Sequence, residues 1–334
     1  MNDSFIVLYD SFVNSLFELE EHPKKIAIAV SGGVDSSTMS YIAKKATEKF
    51  NISMVLFHVN HGLQETADNW SRHVHSLANL LDVEIYEKKI LVDSIKKKGI
   101  EGAARDARYK AFYDLSMEHG IHHVFLAHHQ KDQAETLLFR LLRGSGVKGM
   151  AGMKKISKVN NIFYIRPWLD IDKNNIDIES KKFSLDNSWF PINDPTNKDP
   201  AYSRGVIRFF LEPVLDRYWP QWKKTLCRHA SHMRDADNII EVFSSNYLKT
   251  LDFDNDNFSF SLLKWRLILS KPIKMQVLRY WIMLHNINLP SNAVLNEIYK
   301  QLSQLHALGY DRCMTVHHDN HLILCKRGRV YIDK

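Results

Sequence analysis

A chain of 334 residues with 45% apolar and 25% charged residues is longer than an ordinary single domain and too balanced in composition to be disordered or fibrous. Its apolar runs, such as Ile26 to Val30, are strand-sized and fall far short of the ~20 residues that a membrane-spanning helix needs. The net charge is +7 and unevenly placed: residues 1–216 hold 28 Lys and Arg against 28 Asp and Glu, whereas residues 217–334 hold 17 against 10. A basic part appended to a neutral one predicts either a polyanionic partner or a merely solvated basic surface. Met1 to Phe5 carry no basic n-region, and Cys227, Cys313 and Cys325 form no C-x-x-C pair. The expectation is therefore a reduced, cytoplasmic compartment without a disulfide framework or a spaced zinc site.

A first helix is predicted from Phe5 to Leu19. From Ile26 onward, short β-rich runs alternate with segments of helical period. The strands are Ile26 to Val30, Ile52 to Val59, Val83 to Lys88, His123 to Ala127 and Ile162 to Arg166. Between them lie helices near Ser36 to Phe50, Glu65 to Leu81, Gly102 to His119 and Asp132 to Arg143. Such alternation predicts an α/β fold with a doubly wound, mainly parallel sheet, and ligands beyond the carboxyl ends of its strands. Pro191 to Asn197 read as a loop before a helix near Ser203. The expected division is a first domain over 1–216, a helical connection over 217–251 and a smaller α+β domain over 252–334. In that last part a strand at Phe258 to Leu262 and helices near Pro272 to Asn286 and Asn292 to Leu305 are expected. A hairpin of Cys313 to His317 and Leu322 to Cys325 across Asp319-Asn320 follows, with a third strand at Val330 to Ile332.

The first strand runs straight into Ser31-Gly32-Gly33-Val34-Asp35-Ser36-Ser37, and a helix follows. Glycines supply the tight turn, while helix N–H groups and three hydroxyls favour a phosphate. No Lys follows the glycines, and Gly144 to Gly149 leads into Met150, so neither segment is a Walker A loop. Asp35 then suggests Mg²⁺ as the phosphates' counter-charge. The plainer alternative is that Ser31 and Asp35 cap the helix.

This seven-residue loop resembles that of the N-type ATP pyrophosphatases, or PP-loop superfamily, whose members cleave ATP between its α- and β-phosphates to adenylate an oxygen. The resemblance implies an adenine nucleotide alpha hydrolase-like fold, with ATP bound by Ser31, Gly32, Gly33, Val34, Asp35, Ser36, Ser37 and, at the end of the second strand, His58. Four further segments, spread over residues 24–216, are similar to the bacterial tRNA(Ile)-lysidine synthetases. They are His58-Val59-Asn60-His61-Gly62-Leu63, Glu101 to Tyr109, Ala127-His128-His129-Gln130-Lys131-Asp132-Gln133-Ala134-Glu135-Thr136, and Asp194 to Asn197 with Tyr202-Ser203-Arg204.

His58 could equally be a satisfied polar strand end. Arg105 and Arg108 share a helix face and could grip phosphate or pair with Asp106. The family position implies a phosphate role for Arg108, with Arg204 its counterpart for developing charge. Asp132 and Glu135 could bind magnesium, hold an ammonium, take a proton, or form a capping box. The family pattern departs at two points: Lys131 stands where an aspartate is usual, and Gly205 where asparagine is usual. Leu142 to Met150, with Lys154, Lys155 and Lys158 beyond, could embrace an anticodon loop or be a plain connection.

The resemblance implies a ligase that uses ATP and Mg²⁺ (at Asp35, with Asp132) to adenylate C2–O of the wobble cytidine in the CAU anticodon of a minor isoleucine tRNA. Free L-lysine then displaces AMP to give lysidine. Asp35, Arg108, His128, Asp132, Glu135 and Arg204 would form the catalytic set, with the C-terminal part holding tRNA; homodimerisation stays open. A thiolating tRNA enzyme, a small-molecule amide synthetase and a nucleotide-binding RNA module without turnover are the alternatives.

Overall fold

A computed structural model describes residues 3–60, 67–90, 95–193, 203–304, 314–319 and 321–333. His61, Gly62, Leu63, Asp194 to Asn197, Tyr202, Cys313 and Asn320, all named above, lie outside the described residues. The chain divides into two compact units, Met1–Arg234 and Asp235–Lys334. The division falls inside a continuous helix, within the stretch read as a connection.

The first unit runs α1 (Asp3–Phe17), β1 (Lys25–Val30), α2 (Val34–Phe50), β2 (Ser53–Asn60), α3 (Ala67–Leu81), β3 (Glu84–Lys89), α4 (Ile95–His119), β4 (His123–Phe125), α5 (Gln130–Leu142) and α6 (Val147–Met150). It continues with β5 (Ile156–Val159), β6 (Ile162–Ile165), α7 (Lys173–Asn187), α8 (Ser203–Val206), a π-helical turn over Ile207–Leu211, α9 (Glu212–Tyr218) and α10 (Trp222–Lys249). The sheet order is β3-β2-β1-β4-β6-β5, parallel throughout except for the β5–β6 pair. Strand alternation sorts the two faces. Ile26, Ile28, Val30, Met54 and Leu56 pack beneath α1, α2, α3 and α7, whereas Ala27, Val55, Phe57 and Val59 pack against Phe112 and Leu115 of α4. Helices thus cover both faces, as the doubly wound expectation requires.

Several elements were not foreseen, β5 and α7 among them. β5 is a half-polar edge strand, Ile-Ser-Lys-Val, too short and too mixed to show a strand pattern. Helix α7 has little apolar periodicity, yet it buries Ile176 and Phe183 and opens on an Asp172 cap whose carboxylate accepts from the Asn174 N–H at 2.8 Å.

The second unit contains β7 (Phe260–Ser261), α11 (Leu262–Leu267), α12 (Lys271–Leu284), α13 (Asn292–Gln304), β8 (Met314–His318), β9 (His321–Lys326) and β10 (Arg329–Asp333). Its antiparallel sheet, in the order β7-β10-β9-β8, packs on Trp265, Trp281, Leu278 and Ile298. Arg327 and Gly328 join β9 to β10 with φ of 49° and 74°, the double left-handed geometry that matches hairpin twist.

Candidate active site

The chain leaves β1 for α2 on one face of the sheet and reaches β4 through α4 on the other. A crevice therefore opens where the β1 and β4 carboxyl ends part, the usual ligand position in such sheets. The loop Ser31–Gly33 and the segment 126–129 face each other across it. Gly33, in extended conformation and with no side-chain cap, begins α2. Ser31 and Asp35 are therefore not its N-cap. The Ser37 hydroxyl donates to the Gly33 carbonyl at 2.9 Å, and Ser36 Oγ accepts from the Ser31 N–H at 3.1 Å. These two hydroxyls brace the turn from inside, leaving helix amides and Ser31 on the ligand side.

Gly32 sits at φ 84°, and its carbonyl accepts from the Ile192 N–H at 2.8 Å. A Cβ there would lie 2.9 Å from Ile192 Cδ1 and 3.1 Å from Val74 Cγ2. Gly32→Ala is expected to cost ~1–2 kcal/mol in backbone strain and to lower ATP-dependent pyrophosphate release at least tenfold through a displaced turn. Thermal melting and a pyrophosphate assay read the two effects.

Asp35 faces the crevice and holds the Lys173 ammonium of α7 in a short contact, with His129 Nε2 at 3.5 Å. Burial pushes its carboxyl up, but His129 and Lys173 together outweigh that and hold it at about 2. His129 Nε2 is also 3.5 Å from Asp132 Oδ2. Its imidazole is pushed down by burial and raised more strongly by Asp132 and Asp35. One ring nitrogen thus bridges two carboxylates, Asp35 and Asp132, the pair expected to border one crevice. Lys173 brings to the loop the cation that the missing Walker lysine would have supplied. Neither Lys173 nor His129 had been singled out for a role.

The first turn of α5 is clamped from the far side. Asp132 Oδ2 accepts from the His129 N–H at 3.1 Å, so His129 rather than Asp132 occupies the N-cap position. Glu135, 1% exposed, is gripped by Arg208 through Nε–Oε1 at 2.7 Å and Nη2–Oε2 at 2.8 Å. Arg208 also lies 3.7 Å from Asp132 Oδ1. Lys131 pairs with Glu212 Oε1 at 2.6 Å, and Lys223 reaches Glu212 and Asp216 at 3.2 and 2.8 Å. The family departure at Lys131 is therefore absorbed by an ion-pair network between α5, α9 and α10.

A second cluster is cationic. Burial lowers the proton affinity of Arg108, and Arg105 and Arg204 lower it further, although its side chain remains solvent-exposed. Arg204 Nη2 donates to Thr136 Oγ1 at 3.4 Å. His128 is enclosed and pushed down to about 3, by burial first and then by the charges of Arg166, Arg105 and Arg108 against the opposing pull of Asp132. It is neutral at physiological pH and a weak base. Arg166, 4% exposed and unanticipated, donates to Lys154 O, Ser157 Oγ and the Tyr109 hydroxyl at 3.0, 3.1 and 3.1 Å. His58 Nδ1 lies 2.9 Å from the Val30 carbonyl, the last of β1 before the loop, and burial lowers its pKa. In that neutral ring Nδ1 donates to the carbonyl, tying the end of β2 to the root of the phosphate loop.

No group of three or more His, Cys, Asp or Glu is arranged to hold a metal among the described residues. A Mg²⁺ shared with phosphate oxygens needs only one or two carboxylates, and the ionised Asp35 beside Asp132 fits that requirement. No helix among the described residues is long and apolar enough to cross a membrane.

A model of the PP-loop domain family matches residues 5–215. The chain is 41% identical to a tRNA(Ile)-lysidine synthase of Bordetella parapertussis over 96% of its own length and 92% of the relative's. It is 31% identical to one of Photorhabdus laumondii, over 87% of this chain and 64% of that longer protein. Among solved structures, a U34-tRNA thiolase from Methanococcus maripaludis superposes with a TM-score of 0.56 at 17% identity, covering 70% of this chain and 80% of that one, a likeness of fold alone. A family match across the nucleotide-binding unit, with identity sustained through both units, places this chain in the tRNA(Ile)-lysidine synthase family of PP-loop proteins.

Proposed function

We propose that this chain ligates lysine to C2 of the wobble cytidine in the CAU anticodon of a minor tRNA(Ile). The cytidine C2 oxygen attacks the ATP α-phosphorus and pyrophosphate leaves. The ε-amine of free lysine then adds at C2, gives up its proton, and AMP departs with the oxygen. The observation that carries this reading is the meeting of Asp35, His129 and Asp132 beside the phosphate loop, with Arg108 and Arg204 supplying cationic charge in the same unit. Asp35 and Lys173 orient the triphosphate, and a Mg²⁺ held by Asp35 and Asp132 would add positive charge against its oxygens. Arg108 and Arg204 balance charge as pyrophosphate forms.

Of Asp132, Glu135 and His128, Asp132 suits the amine's proton best, which would leave Asp35 as the carboxylate for Mg²⁺ at that step. Glu135 is fully engaged by Arg208, and His128 binds a proton only near pH 3. The second unit would hold the body of the tRNA, in the cytoplasm where that substrate resides. Thiolation is disfavoured by Cys227, whose half-buried thiol is pushed up to about 12 by burial and donates to the Gln130 carbonyl at 3.6 Å. The test combines ATP, radiolabelled lysine and tRNA(Ile) with a CAU anticodon. Label on the tRNA, together with tRNA-dependent pyrophosphate release, is expected; tRNA-independent release without label would overturn the reading in favour of a small-molecule synthetase.

A further inference from the structure

Along α5, residues 131, 135 and 138 follow one another on a single helix face. Lys131 and Glu135 are consumed there by ion pairs with Glu212 and Arg208, but Leu138 opens into a cleft of about 480 Å³. Leu138, Trp222 and Leu226 line it together with Tyr218 and Trp219, which are each 62% exposed. Two more aromatic rings, Phe209 and Phe210, are 57% and 55% exposed just upstream. Water-facing aromatics in this number are not needed for packing and mark a contact surface.

Charge singles out the same place. The excess of basic residues after position 216 is concentrated: residues 217–234 hold 5 Lys and Arg and no Asp or Glu, whereas residues 235–334 hold 12 against 10. The excess is therefore not spread evenly over residues 217–334. Arg217, Lys224 and Arg228 are exposed, and the Arg217 guanidinium lies 5.4 Å from the centre of the Tyr218 ring. The two acidic residues of α9, Glu212 and Asp216, are both neutralised by lysines. Exposed rings beside unopposed cations are the surface that stacks an unpaired base while neutralising its phosphates.

We propose that the Tyr218–Trp219 cleft receives an unstacked base of the substrate RNA, a loop nucleotide flanking the cytidine that reacts. This rests on the tRNA reading given above. Leu138 follows Asp132 by six residues of α5, a rise of ~9 Å, so the cleft lies within a nucleotide or two of the reacting position. Stacking of this kind has no sequence preference of its own. It would instead fix how the loop is splayed when the cytidine leaves its neighbours.

The experiment uses the full chain and an isoleucine tRNA with a CAU anticodon. Trp219→Ala and Tyr218→Ala are each expected to weaken tRNA binding about tenfold or more in filter binding, with ATP affinity unchanged and Trp219→Phe close to wild type. In a cycle, abasic substitution of the unpaired loop nucleotides in turn should find one position whose loss weakens wild type but not Trp219→Ala. Wild-type protein that forms lysidine while both alanine variants bind tRNA normally overturns the cleft and leaves the functional reading intact. A wild-type dimer that Trp219→Ala dissociates at unchanged tRNA affinity assigns the cleft to a second copy and equally overturns the proposal. Wild type that neither binds tRNA nor forms lysidine overturns both.

Discussion

Asp35→Asn is expected to reduce tRNA-dependent pyrophosphate release by roughly 10²–10³-fold while leaving tRNA binding near wild type. The side chain stays the same size, so the effect isolates the charge. In the native site that charge is secured from two directions, by Lys173 and by His129, which hold the carboxyl's pKa at about 2 and keep it ionised. The asparagine variant leaves the Lys173 ammonium and the ring of His129 without their shared anion. His129, raised by both carboxylates, then keeps only Asp132. Lys173 keeps Asp177 at 3.0 Å, so what the triphosphate would lose is the carboxylate proposed to carry Mg²⁺. A pyrophosphate assay in parallel with tRNA filter binding reads both arms; equal loss in the two would point to unfolding. Retained pyrophosphate release at wild-type rate would remove Asp35 from the chemistry altogether.

Arg208→Ala is expected to destabilise the first unit by ~3–5 kcal/mol, a fall of roughly 10 °C in its melting temperature. The cause is not the attraction lost but the charge left behind. Glu135 is 1% exposed, and both its oxygens are satisfied by the one guanidinium. Without it the carboxylate must stay buried and unpaired or take up a proton. Glu135→Gln placed in the Arg208→Ala background removes the stranded charge and should recover part of the loss. Thermal and urea melts of the two single variants and the double variant test this, and strictly additive losses would count against the pair.

The phosphate loop was legible because its determinants are local: an apolar strand, two glycines and a helix start occupy consecutive residues. The β-α alternation was legible for the same reason, since each face of β1 and β2 announces its burial within five or six residues. What escaped reading is what the fold assembles from afar. Lys173 sits in a polar helix with weak periodicity and acquires meaning only when α7 packs beside α2. The one local signal available was Asp172 as a cap, which could have located α7 but not its partner. Arg208 lies in a π-helical turn that no periodicity announces, 73 residues from the glutamate it holds. His129 could be seen in the motif, yet nothing in sequence distinguishes it from His128. Their neighbours divide them, guanidinium groups lying near one ring and two carboxylates beside the other.

The pairing of Lys131 with Glu212 couples the charges of these two positions. An aspartate at 131 would put two carboxylates within the separation now bridged by a salt link. Lys223 alone would then be left to balance Glu212, Asp216 and the newcomer. A change of charge at 131 is therefore felt first at 212, across two helices, and a compensating change at Glu212 would relieve it. That coupling is electrostatic and separate from the reaction the site performs.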